Sequence, residues 1–330
     1  MSAPADIAAP AEGEPRKPPP VRVLVSVLAA VLLAAAPLFL APYAISTLTR
    51  MLVFGLLAAS LALLVGVSGL PSLGHAAYFG AGAYAAGWFA QNVSAQAPLS
   101  LLVAAFTGGF VAAATGWIAV RARGVFFLML TLAIGEIVHQ VADSWESVTG
   151  GSNGLYGIPA TEVGGAAITN VGVLHWYVLA AFGGGFAVLW AVKASPFGAA
   201  LRGIHDNEPR MRSIGYPTSL YKYAVFVVAG TVAGLAGGLL AAQQRLVTPA
   251  DLGFTTAALA LLAVIIGGAR SLWGACLGAA LVIFVRDSIG PSLDGHGPLL
   301  LGVVFILVVY LMPNGVAGIR IGRGKGGGKP

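Results

Sequence analysis

The stretch SPFGAALRGIHDNEPRMRSIGYPTSLYKYAVFVVAGTVAGLAGGLLA, residues 195–241, has two halves of opposite character. Its first half is charged and punctuated by Pro196, Gly198, Pro209, Gly215 and Pro217. Its second half opens the apolar run 222–242, and about 20 such residues are what a helix needs to cross a hydrocarbon core. A compact charged loop that feeds straight into a membrane-length helix points to a chain threaded through a bilayer.

Composition agrees. The chain has 330 residues, of which 58% are apolar and 9% charged. A soluble domain carries about 25% charged residues. This chain therefore cannot cover a water-facing surface, which excludes a soluble enzyme. A nucleic-acid-binding protein is excluded too, although 18 Lys and Arg against 12 Asp and Glu leave a charge of +6. In a membrane protein that excess reflects cytoplasmic loops. The single cysteine, Cys276, lies in an apolar run and excludes a disulfide framework or a Cys-based metal site.

The same length criterion marks ten spans: 23–42, 47–66, 72–91, 99–120, 125–143, 173–192, 222–242, 255–269, 274–290 and 298–313. The expected fold is all-α and polytopic, with about ten transmembrane helices in one domain over 22–314. Span 72–91 is polar at its start and 255–269 is short, so either could be broken or re-entrant. Residues 1–21 read as a disordered tail. The run after them exceeds the roughly 7–15 residues of a signal-peptide core, so it is expected to be retained. Residues 315–330 read as a flexible basic tail, suited to anionic lipid. Its lysines lack the G-x-x-x-x-G-K spacing of a phosphate loop.

With both termini cytoplasmic, 15 of the 18 basic residues fall inside, leaving Arg50, Arg245 and Arg286 outside. Two loops exceed mere connectors. The outer one, 144–172, has no Lys or Arg but holds Glu146 and Glu162 and the turn string Thr149–Gly154. The inner one, 193–221, is rich in cations. A faint repeat pairs Ser72-Leu73-Gly74 before Gly80-Ala81 with Ser271-Leu272-Trp273-Gly274 before Gly278-Ala279; it fits either a duplicated transporter or ordinary small-residue packing.

Within the inner loop, 195–198 reads as a turn and 199–206 as a short helix with Leu201 and Ile204 on one side. Asn207-Glu208-Pro209 then starts a second helix, about 208–214, that stops at Gly215. Met211 and Ile214 stand as apolar knobs beside Arg210 and Arg212. Such a loop suits docking into a groove on another protein, or is simply a solvated loop. Elsewhere, Glu136, His139, Gln140 and Asp143 share one helix face in the outer half of the fifth span. They either line a path or hydrogen-bond between helices. Ser68, Ser72 and His75 sit where Gly66, Gly69 and Pro71 interrupt a helix, which membrane depth tolerates only against protein or a cavity.

The 195–241 string resembles the cytoplasmic coupling loop and following helix of LivM-type permease subunits of bacterial branched-chain amino-acid ABC importers. GVSGLPSLGHAAYFGAGAYAAG (66–87), RARGVFFLMLTLAIGEIVHQVADSWESVTGGSNGLYGIP (121–159) and LLAVIIGGARSLWGACLGAALV (261–282) resemble the same family in the same order. The resemblance implies a bacterial inner-membrane permease without catalytic chemistry of its own. Its implied partners are a second, homologous permease, two cytoplasmic ATPases that bind ATP and Mg, and a periplasmic solute-binding protein, with no nucleic acid. The implied cargo is Leu, Ile or Val, or in related systems urea, short amides or aromatic acids. The family's Glu-to-Gly coupling spacing maps onto Glu208 and Gly215, although Pro209, Arg210 and Met211 replace its small residues. Coupling to the ATPase is thus expected from Leu201, Arg202, Ile204, Asp206, Glu208, Arg210, Arg212 and Gly215. The path is expected to use Ser72, His75, Glu136 and His139.

Three rivals follow from the residues. Gly66-Val67-Ser68-Gly69 fits the G-x-S-G motif of rhomboid-type intramembrane proteases, which would need a histidine within reach of Ser68. A self-contained secondary transporter would need intramembrane acids, for which Glu136 and Asp287 are the candidates. A metal channel would use His75, His139 and His175, whose spacing is not that of ligands.

Overall fold

The computed structural model describes residues 20–289, 297–311 and 315. Helices α1 (Pro20–Phe39), α2 (Pro42–Ser68), α3 (His75–Asn92), α4 (Ala97–Ala119) and α5 (Val125–Ser144) follow one another with short connections. The short α6 (Glu146–Thr149) opens a long loop that leads to α7 (Val171–Ala194). Then come α8 (Pro196–Asp206), α9 (Glu208–Ser213), α10 (Thr218–Gln244), α11 (Phe254–Gly267), α12 (Leu272–Phe284) and α13 (Gly297–Leu311). A π turn, Val285–Ile289, extends α12. The architecture is that of an all-α polytopic membrane protein, and among the described residues seven helical segments are long and apolar enough to cross a membrane. The two tails expected at 1–21 and 315–330 lie largely outside the described residues.

Side-chain caps explain several boundaries. Asn170, Ser195, Asn207 and Ser271 each accept a backbone N–H from the first turn of α7, α8, α9 and α12. The turn expected at 195–198 is instead the cap and first turn of α8, because Ser195 caps it and Pro196 is compatible with a first helical turn. The expected span 72–91 starts late: Gly69–Gly74 is non-helical, and α3 begins at His75.

Helices α2 and α10 form the centre. Their buried residues, including Leu56, Leu57, Leu61, Phe226, Ala233 and Leu240, belong to one continuous core. Around α10 the packing is backbone against backbone. A Cβ built on Gly237 would strike the carbonyl oxygen of Phe79 in α3, one on Gly82 would strike that of Gly234, and one on Gly234 would lie 2.5 Å from the Ala104 oxygen in α4. Small residues at such crossings let van der Waals contact hold helices together where no hydrophobic drive exists.

The loops gather at two ends. At one end α9 meets the α4–α5 connection and the end of α7 meets the α11–α12 connection. At the other, the 145–170 loop docks on the α10–α11 connection through antiparallel pairing of Leu155–Tyr156 with Leu246–Val247. A second two-residue hairpin joins Glu162–Val163 to Ala166–Ala167. These strands carry little of the fold. They satisfy backbone groups of a long connection.

Candidate functional site

Helix α8 lies on the bundle with Leu201 and Ile204 fully buried, so these two anchor the helix inward rather than face outward. Phe197 stacks on Tyr221 of α10 at 5.2 Å between ring centroids. Arg202 Nη1 donates to the Lys193 carbonyl at 2.9 Å, fastening α8 to the end of α7. Lys193 Nζ in turn donates to the Arg270 carbonyl in the α11–α12 connection. The His205 ring lies against Gly69, just past α2.

Glu208, the first residue of α9, is the hub. Its Oε2 accepts from Lys222 Nζ at 2.7 Å, and its Oε1 accepts from Arg212 at 3.0 Å and Thr218 Oγ1 at 3.2 Å. Arg123, from the α4–α5 connection, lies 3.8 Å away. Burial by itself would raise the carboxyl pKa. The Lys222 bond and charge, the Arg123 charge and the Thr218 bond outweigh it and hold Glu208 below the ordinary value. One carboxylate therefore joins α9, α10 and the α4–α5 connection, and a cavity of about 260 Å³ opens among Arg123, Glu208, Pro209, Arg212 and Ser213. Gly215 follows with φ +93°, a conformation that favours glycine and turns the chain into α10. The outward face presents Asp206, Arg210, Arg212, Ile214, Tyr216 and Leu220 as exposed side chains.

The second cluster surrounds the Gly69–Gly74 break. Leu73 N–H donates to Thr131 Oγ1 at 3.2 Å, two turns into α5, and Gly74 packs against Gly135. The break therefore lies inside the bundle, where Thr131 serves a backbone group that lipid could not. Ser60 Oγ pairs with His75 Nε2 at 2.8 Å. Ser72 Oγ and His75 Nδ1 are buried without a partner among the described residues. Next to the buried Gly135, Glu136 is exposed and contacts His139 at 3.3 Å. Gln140 is exposed as well, while His139 and Asp143 are half-buried. The four expected path residues thus fall into two separate pairs, Ser72 and His75 buried at the break and Glu136 and His139 more exposed on α5, and among the described residues no hydrogen bond joins Ser72 or His75 to Glu136 or His139. Ser68 Oγ donates to the Leu64 carbonyl at 2.7 Å, an ordinary intrahelical bond. Asp287 has both carboxylate oxygens engaged by arginines.

Sequence reasoning counted Arg123 and Lys222 only as inside cations, and did not single out Thr218, Ser60 or Thr131. A cation in the first turn of an apolar span was the available signal for Lys222. Nothing local pairs Ser60 with His75 or Thr131 with Leu73.

Comparison with known proteins accords with this arrangement. Residues 43–312 match the family model described as branched-chain amino acid transport system, permease component. The high-affinity branched-chain amino acid transport system permease protein LivM of Salmonella typhimurium (strain LT2) is 26% identical, covering 87% of this chain and 72% of that protein. LivM of Escherichia coli (strain K12) is 27% identical over 82% of this chain and 69% of its own length. LivH of the same Salmonella strain is 23% identical, covering 80% of this chain and 91% of that protein. No solved structure matches. With a membrane-embedded helical bundle, a clamped two-helix loop and a family match across most of its length, the chain belongs to the permease components of branched-chain amino acid transport systems, as a LivM-type member.

Proposed function

We propose that this chain is the subunit through which an ATP-driven importer carries leucine, isoleucine or valine across the bacterial inner membrane. The observation that supports this most directly is the Glu208 hub, which turns a loop of two short helices into a lever tied to α10, to the α4–α5 connection and, through α8, to α2 and α7. A partner that pushes on the exposed Arg210–Leu220 face moves several membrane helices together. In this reading all ten long helices cross, both termini are cytoplasmic and the 145–170 loop meets a periplasmic solute-binding protein. Two cytoplasmic subunits bind and hydrolyse ATP with Mg; this chain has no catalytic step of its own. A second permease covers α5, so that the amino acid passes along the face carrying Glu136, beside the interrupted Gly69–Gly74 backbone. A charged side chain exposed on a membrane helix needs such water or protein around it.

The test is reconstitution in proteoliposomes with the second permease, the ATPases and the binding protein. Labelled leucine uptake that requires internal ATP and the binding protein is expected. Uptake by this chain alone under an ion gradient would overturn the proposal. The melting temperature of the binding protein with each candidate solute then ranks branched-chain amino acids against urea, amides and aromatic acids.

A further inference from the structure

Two of the three arginines outside the cation-rich end of the bundle meet at one place. Arg50 lies early in α2 and Arg286 in the π turn after α12, and both bind Asp287. Arg50 Nη1 donates to Oδ2 at 2.9 Å and Arg286 Nε donates to Oδ1 at 2.8 Å. Tyr43 Oη closes the cluster by donating to the Asp287 carbonyl at 3.1 Å. Arg286 is held over the Phe54 ring at 5.3 Å. A cavity of about 290 Å³ opens here, lined by Tyr43, Ser46, Thr47, Arg50, Arg286 and Asp287.

Among the described residues two guanidinium groups share one carboxylate, which leaves one positive charge unmatched. Both arginine side chains are about two-thirds covered, at 31% and 33% exposure. A surplus cation in that setting is costly without a counter-ion. Among the described residues, Arg50 Nη2 and both terminal nitrogens of Arg286 make no hydrogen bond, which leaves the fork geometry that matches phosphate oxygens. The cluster sits at helix ends, where headgroups lie, and Phe39, Tyr43 and Phe284 expose apolar surface around the same helix ends, as acyl chains require. We propose that this pocket is a binding site for the phosphodiester of an anionic membrane phospholipid, which supplies the missing negative charge. The site follows from the charge count and the cavity. Only its assignment to the outer leaflet rests on the topology proposed above.

The test uses the full chain, delipidated in neutral detergent with the subunits that copurify, and reads its melting temperature. Phosphatidylglycerol is expected to raise it more than phosphatidylcholine does. Arg286→Gln is expected to raise the phosphatidylglycerol needed for half the effect about tenfold, the scale of a lost charge-assisted hydrogen bond. Asp287→Asn, which leaves two unshared arginines, is expected to lower it, a gain that misfolding cannot imitate. Equal responses to the two lipids, the same shift with inorganic phosphate alone, or unchanged lipid dependence in both variants would each overturn the proposal. Uptake is not read, so a failure here is separate from a failure of the transport reading.

Discussion

Lys222 Nζ lies 2.7 Å from Glu208 Oε2, joining the start of a membrane helix to the start of a loop helix fourteen residues earlier. Both side chains are largely buried, Lys222 at 10% and Glu208 at 18% exposure. The pair therefore acts as a rivet whose removal frees α9 from α10.

Removing one partner should cost more than removing both. Glu208→Leu alone or Lys222→Met alone strands a largely buried charge, at a cost of about 3 kcal/mol, whereas the double variant should recover most of it. Thermal unfolding of the two single variants and the double variant checks this. Additive losses would show that the pair is not coupled.

The same pair predicts a pH response. Glu208 has a folded pKa below its ordinary value of 4.5, so its stabilising contribution is complete above that value. It is lost as pH falls through the lower folded value. Amide protection factors across 196–213, which remove the intrinsic pH dependence of exchange, should fall below about pH 4.5 in the native chain, and this acid response should shrink in Glu208→Gln. A Gln variant with the native acid profile would assign the response elsewhere.

Transport is expected to separate from stability at Glu136. The side chain is exposed and among the described residues hydrogen-bonds only to His139, so Glu136→Ala should change stability by no more than about 0.5 kcal/mol. Uptake in the reconstituted transporter is expected to fall several-fold. Native uptake by a correctly inserted Glu136→Ala would remove this residue from the path.

Glycine positions offer a sharp contrast. Gly237→Leu forces a side chain into the Phe79 backbone and should cost about 3 kcal/mol or more, while Gly184→Leu meets nothing within 4 Å and should be tolerated in the purified chain. Melting temperatures of the two variants test whether the α3–α10 crossing is as close as described.

Much of the helical framework could be read from runs of apolar residues, because membrane helices declare themselves by length alone. The clamped loop was readable in outline from Asn207, Pro209 and Gly215, whose backbone preferences act locally. The partners of Glu208 were not, since Arg123 approaches from 85 residues away and its charge looks like any other inside cation. Arg50 and Asp287, 237 residues apart, show the same limit more plainly. Distant ion pairs leave no periodicity to detect. The break before α3 was legible in outline, because span 72–91 is polar at its start, but its partner was not: the hydroxyl of Thr131 on another helix is what makes the non-helical backbone there acceptable at that depth.

The glycine crossings around α10 also settle where the molecule can bend. Helices that touch backbone to backbone have little side-chain slack in which to shear, so α3, α4 and α10 are expected to turn together as a block. By contrast, α5 buries only Phe127, Thr131, Gly135 and Ala142 along one stripe. A push arriving through Glu208 would therefore turn that block as one through Lys222, while α5, with Arg123 at its foot, rocks against it.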